Sequence, residues 1–386
     1  MMAKINKSTY GPLLGLMTIA FVGCASPPTK VVKLESTRIE AVEVDGRRSV
    51  EVMDPEILFE EAGQAFQSGD YANAARKYSL IVSRFPSSRW ADVSRYNGGL
   101  SYERSDRCPE AVALYTQMIE RLAGSKDAQD GLFRVASCHE KTKSWPEAQA
   151  ALDRLLMPEF GGISAVARVE AHALRGLAMQ EQGEAAHAER EYKAALKLYK
   201  ANIENEALKQ NRYVSMAQYQ IAEIYRELFT AIRLVLPVER MERDLKTKAD
   251  FFLKAQAAYL RTVRLQQPHY SVRGGYRLGE IFETFYDHFL SAEVPDDLDE
   301  EEMAVYYDEL KEKTRFMISK AVDIFERNMR LGQRMGQDGE WVRKTEASLA
   351  RLRELLQDDE ARKALRDATS GQAEGAGDTD KDPADK

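Results

Sequence analysis

Cysteine is nearly absent. Three residues in 386 are too few to staple a loop-rich fold together. A basic excess is also missing: 55 Lys and Arg stand against 62 Asp and Glu, for a formal net charge of −7. That balance argues against a phosphate backbone as the main partner, so nucleic acid is not expected. Glycine (23) and proline (12) are sparse. Signatures of catalysis are missing too, with no His-Glu-x-x-His, no Gly-x-Ser-x-Gly and no phosphate-cradling P-loop. The five histidines (His139, His172, His187, His269 and His288) are scattered. The acidic stretch from Pro295 to Glu302 lacks the glycine and spaced carboxylates of a calcium loop. These absences point to a protein that is not an enzyme and carries no metal or cofactor.

What is present favours helix. Hydrophobic residues make up 44% and charged residues 30%, a globular mixture rich in helix formers. From Pro55 onward a theme recurs. Its first copy places Ala62, Phe66, Gly69, Tyr71, Ala74, Tyr78 and Ile81 before a stop at Phe85-Pro86. Small residues let two helices approach, aromatics fill the space around them, Gly69 permits the turn and Pro86 ends the second helix. Ala74, Ala111 and Ala148 are 37 residues apart, and Ala188 lies 40 further on.

A mid-thirties period with this small/large alternation resembles the tetratricopeptide (TPR) repeat. The resemblance implies an all-α, right-handed superhelical solenoid of helix pairs. Four units occupy residues 55–200. Two longer, divergent units with insertions occupy 201–335, where Pro237 acts as a breaker. A capping helix covering the exposed apolar end is expected over 336–368, and a disordered tail over 369–386. Ahead of the repeats, Ile39–Val44 and Ser49–Val52 alternate around Asp45-Gly46-Arg47-Arg48. This segment reads either as a β-hairpin or as a linker.

The first residues look like a processing signal. Lys4 and Lys7 precede an apolar run from Leu13 to Val22 that is short for a permanent span. The run ends in Phe21-Val22-Gly23-Cys24, which resembles the lipobox of bacterial lipoproteins. The resemblance implies a signal peptide over 1–23, acylation of Cys24 and a tether with the hairpin segment over 24–54. An Ala at position 25 implies the outer membrane of a Gram-negative cell, with the protein on its periplasmic face. The junction Arg84-Phe85-Pro86-Ser87-Ser88-Arg89-Trp90-Ala91, with Arg134-Val135-Ala136-Ser137-Cys138 downstream, is similar to repeat junctions of BamD-like envelope lipoproteins.

In the TPR family the first helix of each pair lines a concave face that binds protein. Matching positions here are Phe59, Tyr96, Arg104, Phe133, Lys141, Tyr219, Arg226 and Tyr276, with Glu103, Glu140 and Gln180 beside them. Aromatics beside arginine are common anchors for a protein partner, while packing between helices is the other reading of each tyrosine. The lysine and asparagine clamp of chaperone-tail binders is replaced by Tyr96, Phe133 and Ala173. Cys108 and Cys138 are either a disulfide or two small buried thiols. The acidic stretch is either a solvated loop or a contact for a basic partner. The expected function is a lipid-anchored scaffold that binds envelope proteins, in outer-membrane protein assembly or in a Tol-Pal-like, pilus or gliding-motility machine. The alternative is a regulatory or glycan-binding partner of a cell-wall enzyme complex.

Overall fold

A computed structural model describes residues 37–44, 47–158, 162–294 and 298–376. The proposed leader, Cys24 and most of the tether lie outside the described residues, as do Asp45, Gly46 and the end of the tail.

The body is all-α, with thirteen α-helices among the described residues packed in sequential pairs. The order is α1 (Pro55–Gln67), α2 (Tyr71–Arg84), α3 (Ala91–Arg104), α4 (Cys108–Arg121), α5 (Lys126–Lys141), α6 (Trp145–Leu156), α7 (Ala165–Glu181) and α8 (Ala185–Ala201). Four longer helices follow, α9 (Arg212–Ala231), α10 (Val238–Arg264), α11 (Pro268–Leu290) and α12 (Glu300–Arg334), and then α13 (Glu340–Ala376). Each helix packs on the one before and the one after. In the second half the first helices of successive pairs also touch, α7 on α9, α9 on α11 and α11 on α13.

One contact recurs between the two helices of a pair: a small residue on the first faces an aromatic or large aliphatic residue on the second. Ala62 clusters with Tyr78, and Ala136 with Leu152. Gly99 lies under the ring of Tyr115, Gly176 under Tyr192 and Gly279 under Phe325. These small residues repeat along the first helices at the spacing the sequence shows, and the second-helix aromatics Tyr115, Tyr192, Tyr259 and Phe325 are fully buried. Burying such a ring contributes about 1.5–3 kcal/mol. Turns between paired helices use left-handed backbone at Gly69 and Gly183 (φ +83° at both), where a side chain would be strained.

Helix starts follow local chemistry. Asp54 accepts from the backbone N–H groups of Glu56 and Ile57, Asp70 from Asn73, Ser125 from Ala128 and Ser164 from Ala167. The acidic stretch has such a role where it is described: Asp299 and Glu302 form a reciprocal capping box at the start of α12. Pro237 immediately precedes α10, so the predicted break is real, and residues 232–237 connect α9 to α10.

The N-terminal hairpin is formed. β1 (Arg38–Val44) pairs antiparallel with β2 (Arg47–Met53), and Val44 faces Arg47. The sequence placed Arg47 and Arg48 in the turn, whereas both belong to β2. Met53 is buried and Glu40 pairs with Arg84 of α2 at 3.1 Å, so this face of the ribbon meets the helices. Ile39 and Val52, opposite each other on the other face, are exposed. At the far end, α13 runs to Ala376, past residue 369 where the sequence reading placed a disordered tail.

Candidate functional site

A chain of charges crosses the first helices. It starts at Glu103 of α3, which is buried and accepts from the Tyr115 hydroxyl at 3.2 Å. Lys141 and Arg134 of α5 approach the same carboxylate at 3.4 and 3.5 Å. Beyond α5 lies a cavity of about 740 Å³ between α5, α7 and α9. Phe133, Trp145, Leu174, Tyr213 and Met216 supply its apolar wall, and Asp130, Glu140, Glu170, Arg134, Lys141, Lys143 and Arg212 its charges. Phe133 and Lys141 were both expected here, and they come together on one wall.

Two carboxylates of this groove, Glu140 and Glu170, are half-buried. Burial raises Glu140 above its ordinary range, and Glu181 adds to this against the pull of Arg212. Burial likewise raises Glu170, opposed by a hydrogen bond from Tyr213 and by Arg212. Arg212 thus acts on both carboxyls, pulling each down against the effect of burial. At the groove's edge, burial and a hydrogen bond with Asp130 raise the Tyr96 phenol.

The remaining expected residues are dispersed. Phe59 is half-buried, stacked on Trp90 (4.5 Å between centroids) and edge-on to Tyr78 (5.5 Å), and so serves packing. Arg104 is exposed beyond the cavity lining. Tyr219 is a correction: it is fully buried, wedged between Tyr259 and Tyr270, because α11 packs over that side of α9. It presents no surface to a partner. Arg226 is half-buried and pairs with Glu223 at 3.1 Å. Tyr276 sits between Phe325 and Trp341 at 5.8 and 5.6 Å. Cys108 and Cys138 are buried, in side-chain contact with each other, and are free thiols rather than a bridge. Burial pushes the Cys138 thiol up, away from reactivity.

A second polar cluster binds α9 to its neighbours. Glu223 is buried and accepts from Tyr259 at 2.5 Å, with Arg226 and Arg277 close by. Burial alone would raise this carboxyl, but the two guanidinium groups and the tyrosines hold it below its ordinary range. Nearby, Arg273, Arg277 and Lys344 lie over the Trp341 ring at 4.9, 5.5 and 4.5 Å. Lys248 is fully buried and donates to the carbonyls of Phe229 and Ile232, both at 2.8 Å, at the end of α9. Burial lowers its amine to about 8.

Sequence reading missed Glu170, Arg212 and Tyr213. These residues sit at or near the start of their helices, and α9 begins at Arg212 behind the N-cap Asn211 and a 3-10 turn at Glu206–Leu208. The signal was available in that Asn followed by an apolar-periodic run. Among the described residues, no group of His, Cys, Asp or Glu is arranged to hold a metal ion, and no helix is long and apolar enough to cross a membrane.

No protein-family model matches the chain, and neither does any curated protein. Solved structures match in helix packing. The apo form of RapI shares 10% identity over 79% of this chain and 100% of its own, with a TM-score of 0.42. A TPR protein from Parabacteroides merdae shares 15% over 77% and 98%, with a TM-score of 0.36. BtubC from P. vanneervenii shares 12% over 86% and 96%, with a TM-score of 0.37. The chain is similar to these proteins in the sequential packing of its helices.

Proposed function

We propose that this chain is a lipid-anchored scaffold facing the periplasm, which binds envelope proteins through the groove between α5, α7 and α9. The observation that carries this reading is the groove itself. A cavity of about 740 Å³ combines Phe133, Trp145 and Tyr213 with half-buried carboxylates, Glu140 and Glu170, that burial raises above their ordinary range. Aromatic anchors beside partly desolvated charge are what protein recognition uses. A basic or amide-rich segment of a partner would add donors to Glu140 and Glu170. The stack of helix pairs needs no moving part or turnover for this role.

The anchor rests on the leader: Lys4 and Lys7, the short apolar run and Gly23-Cys24. Acylation there would attach more than one chain, which suffices for stable membrane binding. The likeness of the Phe85-Pro86 junction to BamD-like lipoproteins favours an outer-membrane or trans-envelope assembly machine, with the protein on the periplasmic face of the outer membrane. Metabolic palmitate labelling tests the anchor. Label should enter the wild type and be lost in Cys24→Ala, and label that persists in the variant refutes acylation at that residue. Co-purification from detergent-solubilised membranes tests the groove. Tyr96→Ala/Phe133→Ala should lose partners that the wild type retains, and an unchanged set removes the groove assignment. Binding of glycan strands in place of protein would move the reading to a cell-wall enzyme's partner.

A further inference from the structure

A second cleft lies on the other side of α9. Arg212, Tyr213 and Met216 face the first groove, while Gln218, Ile221 and Tyr225 line a cleft of about 570 Å³ between α8, α9 and α10. At 3.6 residues per turn these two sets point to nearly opposite sides of the helix. No Asp or Glu lines this cleft, but five basic residues do: Lys193, Lys197, Lys200, Arg261 and Arg264. On a chain of net charge −7, such a concentration of one sign is local and specific.

The charges are largely uncommitted. Lys193 pairs with Glu189 at 2.8 Å, and Glu189 also accepts from Tyr225. That end of the cleft is balanced. Lys197, Lys200, Arg261 and Arg264 are exposed and make no ion pair or hydrogen bond among the described residues. They are also ordered by their helices: Lys193, Leu196, Lys197 and Lys200 form one stripe of α8, and Arg261 and Arg264 occupy the last turn of α10. Between the two basic rims the floor is apolar, from Leu196, Ile221 and Leu265 with Tyr199 and Tyr225 beside them.

We propose that this cleft is a second docking surface, which takes an acidic amphipathic segment of a protein partner. The argument is charge complementarity joined to shape. The α8 stripe from Lys193 to Lys200 spans two turns, roughly 10 Å. A partner helix carrying carboxylates at i, i+3, i+4 and i+7 repeats that spacing, and its neighbouring apolar stripe would cover the floor. The net charge of −7 opposes a nucleic-acid backbone over the rest of the surface, whereas a short acidic segment of a protein needs only the cleft. Two grooves on opposite sides of α9 would let the protein hold two partners at once.

The test is fluorescence anisotropy with the full chain in detergent. The probe is a synthetic helix-forming peptide with Glu at i, i+3, i+4 and i+7 and Leu along the adjoining stripe. The wild type should bind it with an affinity that falls as salt rises. Lys197→Glu/Arg264→Glu should weaken binding by about tenfold or more, and the milder Lys197→Gln/Arg264→Gln by less. The control Arg243→Glu/Lys246→Glu, an equal charge change on exposed residues of α10 outside the cleft, should leave it unchanged. The proposal is overturned if the peptide does not bind, or if cleft and control variants lose equal affinity. It is also overturned if single-stranded oligonucleotide or anionic lipid vesicles bind the cleft in its place.

Discussion

The ring of Tyr192 lies so close to Gly176 that a Cβ at that position would come within 2.6 Å of it. Tyr192 is fully buried and has nowhere to retreat. The same closeness holds between Tyr115 and Gly99, also 2.6 Å, so the contact belongs to the repeat rather than to one site.

Gly176→Ala should therefore destabilise the stack even though alanine is the better helix former. The helix gain is about 1 kcal/mol and overpacking a fixed ring costs about 1–3 kcal/mol, for a net loss up to ~2 kcal/mol. Gly63→Ala is the matched control: its Cβ would meet nothing nearer than the Tyr78 hydroxyl at 3.8 Å, so the helix gain should appear as a higher melting temperature. Thermal melts followed by circular dichroism check both signs.

This contact also shows how much of the molecule was legible in the sequence. The small residues Ala62, Gly99, Ala136 and Gly176 and their large partners stand at a nearly constant period, and that period specifies the helix pairs. The groove was legible only where it uses repeat positions, as at Phe133 and Lys141. Glu170 and Arg212 follow from where neighbouring first helices come together across the cavity, which no periodicity reports. Tyr219 failed for a related reason: its place in the repeat suggested the open face, but the packing of α11 on α9 buries it.

Glu223→Gln removes the carboxylate shared by Arg226 and Arg277. A fully buried pair broken in this way costs about 3–5 kcal/mol. Both guanidinium groups are about one-fifth exposed, so the expected loss is smaller, about 2–3 kcal/mol. The folded state holds this carboxyl below its ordinary range. Its contribution is therefore present above the unfolded value near 4.5 and is lost as pH falls through the lower folded value. The stability gap between wild type and variant, measured by urea unfolding, should narrow on acidification below that range.

Glu170→Gln should do the opposite. Burial raises the Glu170 carboxyl in the folded state, so its ionisation costs stability at neutral pH, and that cost vanishes below the unfolded value near 4.5. The variant should melt higher than wild type at pH 7 and equal to it in acid. A more stable protein with a weaker grip on its partner would identify Glu170 as a binding residue held at the expense of the fold.

Lys248→Met keeps much of the side-chain volume but leaves two carbonyls at the end of α9 without their donor. Each orphaned acceptor costs about 1–3 kcal/mol. The folded amine is lowered to about 8 from an ordinary 10.5, so the unfolded chain binds the extra proton between those values. Lys248 therefore makes stability rise with pH across that window. Urea unfolding at several pH values should show this upward contribution in the wild type and its loss in the variant.

The most direct test of the central claim, a protein-binding groove between α5, α7 and α9, is photocrosslinking in intact envelopes. The aromatic crosslinker benzoylphenylalanine replaces Phe133 in one strain and the exposed Lys313 of α12 in another. The account predicts a discrete protein adduct at position 133 that is absent at 313. No adduct at 133, or the same adducts at both positions, would contradict it.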